Sequence, residues 1–360
     1  MALRIALTSG HWGQNIGNAF FNVGGRWILE QVFPEATINF IQDQPGYRTF
    51  HNKLSGNPKN DFGIMKYLDL DLLVLQGPLL ADSFPILWRD TLQALKDRGI
   101  RYGFLSTALF RHSASEIEAN RKFIREFPPA FLSTRDSNTY ENFKDLAPVS
   151  YDGIDSAFFV PKACQPPKLT CPPYMVMNFD RWPEPRVRID AAPPRANSRD
   201  FTFEGNTWHL EMPGLFTRMA DKNKYLSYIA AFMDFRKLPN SLNGRQVLRT
   251  EHRVNPFISR KVYQRPNMVC SDEPWTYFTV YANSELTVSD RVHACAATLA
   301  YGKPAVLFAK TSRARLFDRV GAGNVLKEVV QLAPESLESQ RSQQIDFLRK
   351  SLRGLFPSDQ

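Results

Sequence analysis

The chain has 360 residues, 43% of them hydrophobic and 12% aromatic, more than one hydrophobic core usually holds, so two domains are expected. Its four cysteines, Cys164, Cys171, Cys270 and Cys295, form no Cys-x-x-Cys pair and have no His partner at zinc spacing, which argues against a metal or disulfide framework. A net charge of +9 points to anionic partners such as phosphate-bearing substrates, acidic glycans or a membrane surface. Nucleic acid ranks last among them, because the basic residues are scattered and form no long run or aromatic-interleaved RNA motif.

No apolar stretch approaches the roughly 20 residues that span a bilayer. The start, Met1-Ala2-Leu3-Arg4, leads straight into a short apolar run and does not read as a signal peptide. The expected location is therefore cytoplasmic, with peripheral contact at the inner face of a membrane as an option that the basic charge leaves open.

In chain order, the first half alternates strands and helices, the pattern of a mainly parallel sheet covered by helices. Strands are expected at Leu3 to Thr8, Ala36 to Ile41, Leu72 to Leu75, Arg101 to Leu105, Ala130 to Ser133 and Val149 to Tyr151. Helices are expected at Asn18 to Phe33, Leu87 to Asp97 and Ser115 to Glu126. After Phe159 a proline-dense stretch, with Pro161, Pro166, Pro167, Pro172 and Pro173, can run neither as helix nor as inner strand. It predicts an N-terminal α/β domain over 1–160 and a linker over 161–173.

A second α/β domain is expected over 174–335. Tyr174 to Asn178 restarts the strand pattern, and the stretch 181–218, rich in Pro and Arg, reads as an irregular insertion. A helix over Lys222 to Phe235 follows, then strands at Arg245 to Thr250 and Met268 to Cys270, a helix over Pro274 to Ala282, and a strand at Glu285 to Val288. A helix over Arg291 to Tyr301 and a strand at Ala305 to Phe308 complete the domain. The remaining 336–360 read as an amphipathic helix and tail, with Leu337, Ile345, Leu348, Leu352 and Leu355 on one stripe.

The segment from Ser284 to Phe308 is the best signalled in the chain: a short strand, a Ser289-Asp290 cap, a helix of small residues, Gly302 as terminator, Pro304 and another strand. It puts Arg291 and His293 in a first helical turn at the carboxyl edge of a strand. Open α/β sheets bind ligands there, and helix N–H groups favour anions. Arg291 is therefore a candidate anion clamp, and His293, whose ordinary pKa lies near neutrality, a candidate acid/base.

Ser289-Asp290-Arg291-Val292-His293-Ala294, followed by Gly302-Lys303-Pro304, resembles the Arg-x-His-Ala and Gly-x-Pro signature of polysaccharide pyruvyltransferases. Asn15-Ile16-Gly17-Asn18 resembles that family's Asn-x-Gly-Asp turn, with Asn18 in place of the acid. Ser133-Thr134-Arg135-Asp136-Ser137 and Asp155-Ser156-Ala157-Phe158 resemble its Arg-Asp-x-x-Ser and Asp-x-Ala-Phe elements, whereas Gln76-Gly77-Pro78 departs from its double glycine.

The resemblance implies α/β architecture like that of the GT-B glycosyltransferases: two doubly wound parallel-sheet domains facing a cleft, with the C-terminal helix packing back towards the N-terminal domain. It implies transfer of pyruvate from phosphoenolpyruvate to two hydroxyls of a polysaccharide or lipid-linked saccharide precursor, forming a ketal in envelope or exopolysaccharide assembly. No cofactor is required, since phosphoenolpyruvate is itself the donor. By the same resemblance His293 is the acid/base, Arg291, the backbone at Val292 and Arg135 bind the donor, and Asn15, Gly17 and Asn18 are candidates for acceptor or cleft contacts.

Blander readings stand beside these. Arg135 reads equally as an exposed charge beside a helix cap, and Asp152 and Asp155 as turn and cap residues. His11 and His252, next to strand ends, are further cleft candidates, although a surface-loop reading is preferred for both. Trp182, Trp208, Arg181, Arg186 and Arg188 suit a sugar platform or simply a surface excursion. Two other functions compete: a nucleotide-sugar-dependent glycosyltransferase of the same architecture, and a non-catalytic glycan-binding protein of the same assembly route.

Overall fold

The computed structural model describes residues 2–13, 15–42, 63–180, 182–190, 198–211, 226, 229, 237–252, 265–308 and 311–356. The chain divides into two compact units. Unit 1 comprises Met1–His11, Phe21–Ala163 and Leu337–Gln360, and unit 2 comprises Trp12–Phe20 and Cys164–Ser336.

Unit 1 runs β1 (Arg4–Ser9), α1 (Gly17–Val32), β2 (Thr37–Gln42), β3 (Leu72–Gln76), α2 (Phe84–Asp97), β4 (Arg101–Thr107), α3 (Ala114–Glu126), β5 (Leu132–Thr134), α4 (Ser137–Phe143) and β6 (Ser150–Asp152). The first turn of α1, to Phe20, belongs to unit 2. The strands form one sheet in the order β2-β1-β3-β4-β5-β6, with every pairing parallel. The sequence shows why. Leu72-Leu73-Val74-Leu75 is an unbroken apolar run, and the strand is buried on both faces through Gln76, as a strand between helix layers must be.

The glycine pair inside α1 has a packing reason. A Cβ at Gly24 would lie 1.8 Å from the Ser156 carbonyl oxygen, and one at Gly25 would lie 1.6 Å from Gln76 Nε2. Close approach thus requires glycine there, at a helix-propensity cost of about 1 kcal/mol per residue.

The C-terminal helix, Pro334–Arg353, packs onto unit 1 from Leu337 onward. Leu337, Ile345, Leu348 and Leu352 bury its stripe, and the polar residues on that face are paired. Gln344 Oε1 accepts from the Ile154 N–H at 2.8 Å, and Arg341 Nε donates to the Phe158 carbonyl at 2.8 Å.

Unit 2 contains β7 (Tyr174–Asn178), β8 (Arg186–Ile189), β9 (Ser198–Phe203), β10 (Asn206–Glu211), β11 (Ser241–Leu242), β12 (Arg245–Thr250), β13 (Met268–Val269), α5 (Pro274–Asn283), β14 (Leu286–Ser289), α6 (Val292–Ala300) and β15 (Ala305–Leu307). Its main sheet has the order β11-β12-β7-β14-β15, with β13 beside β12. The β12, β7, β14, β15 and β13 pairings are parallel and β11 is antiparallel.

The stretch 181–218 is not irregular, contrary to the expectation from its prolines and arginines. Its described part holds β8, β10 and β9 as an antiparallel sheet in that order. Val187 and Ile189, Phe201 and Phe203, and Trp208 and Leu210 alternate onto one face and join Met175, Met177, Val247, Leu286 and Val288 in the core of unit 2. Trp208 is fully buried, stacked on Phe201 with ring centroids 5.9 Å apart, so it is a core residue and not a sugar platform. Two short hairpins complete the pattern: Glu204-Gly205 (φ 50° and 78°) and Asn243-Gly244 (φ 47° and 75°) both carry the paired positive φ of a type I′ turn. The helix expected over Lys222 to Phe235 lies almost wholly outside the described residues, as does Arg181. Among the described residues no helix is long and apolar enough to cross a membrane.

Candidate active site

Three adjacent parallel strands of unit 2, β12, β7 and β14, end side by side, and the residues just past their carboxyl ends converge. They are Glu251-His252 after β12, Asp180 after β7 and Asp290-Arg291 after β14. Helix α6 starts immediately afterwards, and the turn Asn15-Ile16-Gly17 completes the group, pinned by the Ile16 N–H donating to the His252 carbonyl at 2.8 Å.

The entry to α6 is built differently from the expected Ser289-Asp290 cap. Arg291 is itself the N-cap and makes no side-chain capping bond. Ser289 Oγ accepts the Arg291 N–H at 2.8 Å and donates to Asn178 Oδ1 at 2.8 Å. Asp290 turns back to accept the Trp182 N–H at 2.8 Å. The first turn of α6, with Val292 and His293, thus starts beside a guanidinium, an arrangement that favours an anion. Gly302 ends the helix region in the left-handed conformation, φ 73°.

Arg291 is 8% exposed and held on two sides: Nη2 donates to Asn15 Oδ1 at 3.0 Å and Nε lies 3.4 Å from Asp180 Oδ1. Asn15 Nδ2 in turn donates to Asn18 Oδ1 at 3.0 Å. Asn18 therefore supplies, through its carbonyl oxygen, the acceptor that an acid would supply at this position. Asp180 Oδ2 accepts the His252 N–H at 3.0 Å, which ties β7, β12 and β14 to one carboxylate.

His293, 6% exposed, sits in the first turn of α6. Gly17 faces it closely: a Cβ there would lie 3.5 Å from His293 Cβ, 3.0 Å from His252 Nδ1 and 3.3 Å from Asn15 Oδ1. Glycine at this turn lets the start of α1 approach all three closely, where a larger side chain would crowd His252 and Asn15.

His252 is 1% exposed, which overturns the surface-loop reading. The rings of Phe20, Tyr277 and Tyr281 stand edge-on around it at 5.0, 5.5 and 5.8 Å. Burial, then the nearby Arg291 and His293, push its pKa well below the ordinary value, so it is neutral at physiological pH. Glu251 moves the other way: burial, with Asp180 and Asp290 adding to it against Arg265, raises its carboxyl to about 8. It is thus mainly protonated at neutral pH and accepts from Arg265 Nη1 at 3.1 Å.

The other nominated residues belong to unit 1. Arg135 is not an exposed charge: at 1% exposure it donates through Nη1 to Asp155 at 2.6 Å, and Asp155 also caps the turn at Ala157. Asp136 caps α4, accepting the Thr139 N–H. His11 is 8% exposed, its Nδ1 2.7 Å from Gln42 Nε2, and so it too is no surface-loop residue. Asp152 accepts from Ser137 Oγ at 2.8 Å. Sequence reasoning did not single out Asp180, Thr250 or Tyr281. The first two could have been found from the position of residues at the ends of parallel strands, whereas nothing local marks Tyr281. No cluster of metal-ligating side chains occurs among the described residues.

The described architecture, an α/β chain with a parallel sheet in each of two units, is a GT-B-like fold. The chain belongs to the polysaccharide pyruvyl transferase family, whose family model matches residues 15–311. No curated protein matches it significantly in sequence. Among solved structures it is similar to the S. aureus MnaA–UDP co-structure, with a TM-score of 0.51 at 11% identity, covering 97% of this chain and 90% of that one. It also resembles a UDP-GlcNAc 2-epimerase from Methanocaldococcus jannaschii in complex with UDP-GlcNAc and UDP, with a TM-score of 0.48 at 12% identity, covering 99% and 100%. A putative UDP-N-acetylglucosamine 2-epimerase from Listeria monocytogenes gives 0.49 at 10% identity, covering 97% and 91%. At 11% identity the likeness to the MnaA structure speaks for the fold alone.

Proposed function

We propose that the protein transfers pyruvate from phosphoenolpyruvate to two hydroxyls of a saccharide, as a ketal on a polysaccharide or lipid-linked precursor. The observation that carries this reading is the Arg291–His293 corner, in a chain of the pyruvyl transferase family: a guanidinium fixed by Asn15 and Asp180 at the start of a helix, with an imidazole in the same turn.

The chemistry asks for those parts. A proton is delivered to the enol methylene of phosphoenolpyruvate, the carbon that becomes cationic is attacked by a sugar hydroxyl, phosphate leaves, and a second hydroxyl closes the ring. Arg291 and the Val292 and His293 N–H groups hold the anionic donor, because forked guanidinium donors and helix N–H groups match carboxylate and phosphate oxygens. His293 delivers the proton and removes one from the attacking hydroxyl. Gly17 lets the Asn15 turn pack close against His252 and His293. Arg135, which donates to Asp155 through Nη1, is proposed as a further contact of the donor through its other guanidinium nitrogens. The protein acts in the cytoplasm, with its basic charge available for anionic acceptors or an anionic membrane surface.

The test is phosphate release from phosphoenolpyruvate in the presence of a panel of envelope glycans. Wild type releases phosphate and gains a ketal methyl signal on one acceptor. Folded His293→Ala and Arg291→Ala proteins lose about 10²-fold or more. Full activity in both variants, or stabilisation by UDP-sugars and not by phosphoenolpyruvate, defeats the proposal.

A further inference from the structure

His252 Nδ1 is buried and has no hydrogen-bond partner among the described residues. Buried polar atoms are almost always paired, so an orphan beside Asn15, Gly17 and His293 calls for a ligand atom. Which proton it carries can be worked out from its neighbours, starting from a group with only one possible role.

The Thr250 carbonyl can only accept. It receives Asn178 Nδ2 at 2.8 Å, which fixes that amide: nitrogen towards β12, and oxygen towards Ser289 Oγ. The same Asn178 nitrogen lies 3.0 Å from Thr250 Oγ1, so the threonine oxygen accepts there too. The Thr250 hydroxyl proton then has one acceptor among the described residues, Tyr281 Oη at 3.1 Å. Tyr281, having accepted from Thr250, must give its own proton to His252 Nε2, 2.6 Å away. A neutral imidazole that accepts at Nε2 carries its hydrogen on Nδ1. Burial and the adjacent Arg291 keep the ring from taking a second proton.

We infer that the chain Asn178–Thr250–Tyr281 holds His252 in its Nδ1–H tautomer as a fixed hydrogen-bond donor to an anionic oxygen of the ligand gripped by Arg291, with Tyr281 as the positioning residue. The pair of histidines thus divides the labour: His293 exchanges protons, while His252 donates a hydrogen bond and keeps its proton. Neutral donation beside Arg291 adds directional binding without a second buried cation. The inference rests on the pyruvyl-transfer reading only for the identity of the anion.

The test uses ¹⁵N-histidine-labelled full-length protein. Ligand-free protein shows His252 protonated at Nδ1, and both inorganic phosphate and phosphoenolpyruvate shift that resonance. Tyr281→Phe mixes the tautomers and raises KM for phosphoenolpyruvate several-fold with a smaller effect on kcat. His252→Asn, whose amide nitrogen occupies the Nδ1 position, has a KM about 10-fold or more below that of His252→Gln, whose nitrogen does not. An Nε2–H tautomer in the wild type, or a resonance that neither anion moves although both bind, overturns the inference. Should phosphoenolpyruvate fail as substrate while phosphate still shifts Nδ1–H, the pyruvyl-transfer reading fails and this one stands.

Discussion

Gly17 shows how much a single missing side chain decides at this site. Its space is bounded by His252 Nδ1, Asn15 Oδ1 and His293 Cβ, all within 3.5 Å of where a Cβ would sit. Gly17→Ala should lower thermal stability modestly, because its Cβ would lie 3.0 Å from the buried His252 Nδ1 and 3.3 Å from Asn15 Oδ1, which must shift to admit it. It should also lower kcat/KM for phosphoenolpyruvate about 10- to 100-fold, the scale of an ångström-level misplacement of reacting groups. Thermal melts and initial rates on the same preparation separate the two effects. Glu251 gives a pH signature. Its folded pKa, about 8, is above the ordinary carboxylate value, so between roughly pH 5 and 8 the folded state keeps a proton that the unfolded chain has released. Folding stability from this group is therefore present at low pH and falls as pH rises through that window. Glu251→Gln should flatten the decline in Tm measured across it.

At the scale of elements, much was legible because the patterns were local. β7 and β12 lie at the expected residues, Tyr174–Asn178 and Arg245–Thr250, and α6 and its flanking strands differ by a residue or two at their ends. The apolar runs and the Gly302 terminator write these boundaries into the sequence. The stretch 181–218 was misread because prolines and arginines hid a period-two pattern that only its partner strands make visible. The Asn243-Gly244 turn, with φ of 47° and 75°, is a local hairpin signal. In the candidate site, Arg291 and His293 stood out through their motif. His252 did not, because what makes it informative is a network through Tyr281 and Asn178, residues 29 and 74 positions away in a chain that folding brings together. The small sheet carries its own prediction. Trp208→Ala should cost about 3–5 kcal/mol in denaturant unfolding, as a core residue would and a surface platform would not. Glu184→Gln, which strands the Arg249 guanidinium that it now binds at 2.8 and 2.9 Å, should cost about as much.

For the whole molecule, the +9 charge and the family membership meet in one expectation. An anionic donor is drawn to a basic protein by a field that salt screens over about 8 Å at physiological ionic strength. Raising salt should therefore increase KM for phosphoenolpyruvate several-fold while leaving kcat nearly unchanged, and equal effects on both would point elsewhere. The central claim, that the start of helix α6 with Arg291 is where the donor's anion binds, is tested most directly by a crystal structure of the protein with phosphoenolpyruvate. The account predicts carboxylate or phosphate oxygens within hydrogen-bond distance of the Arg291 guanidinium and the first N–H groups of α6, with His293 facing the enol methylene. Phosphoenolpyruvate bound at another place, with this corner unchanged, would contradict it.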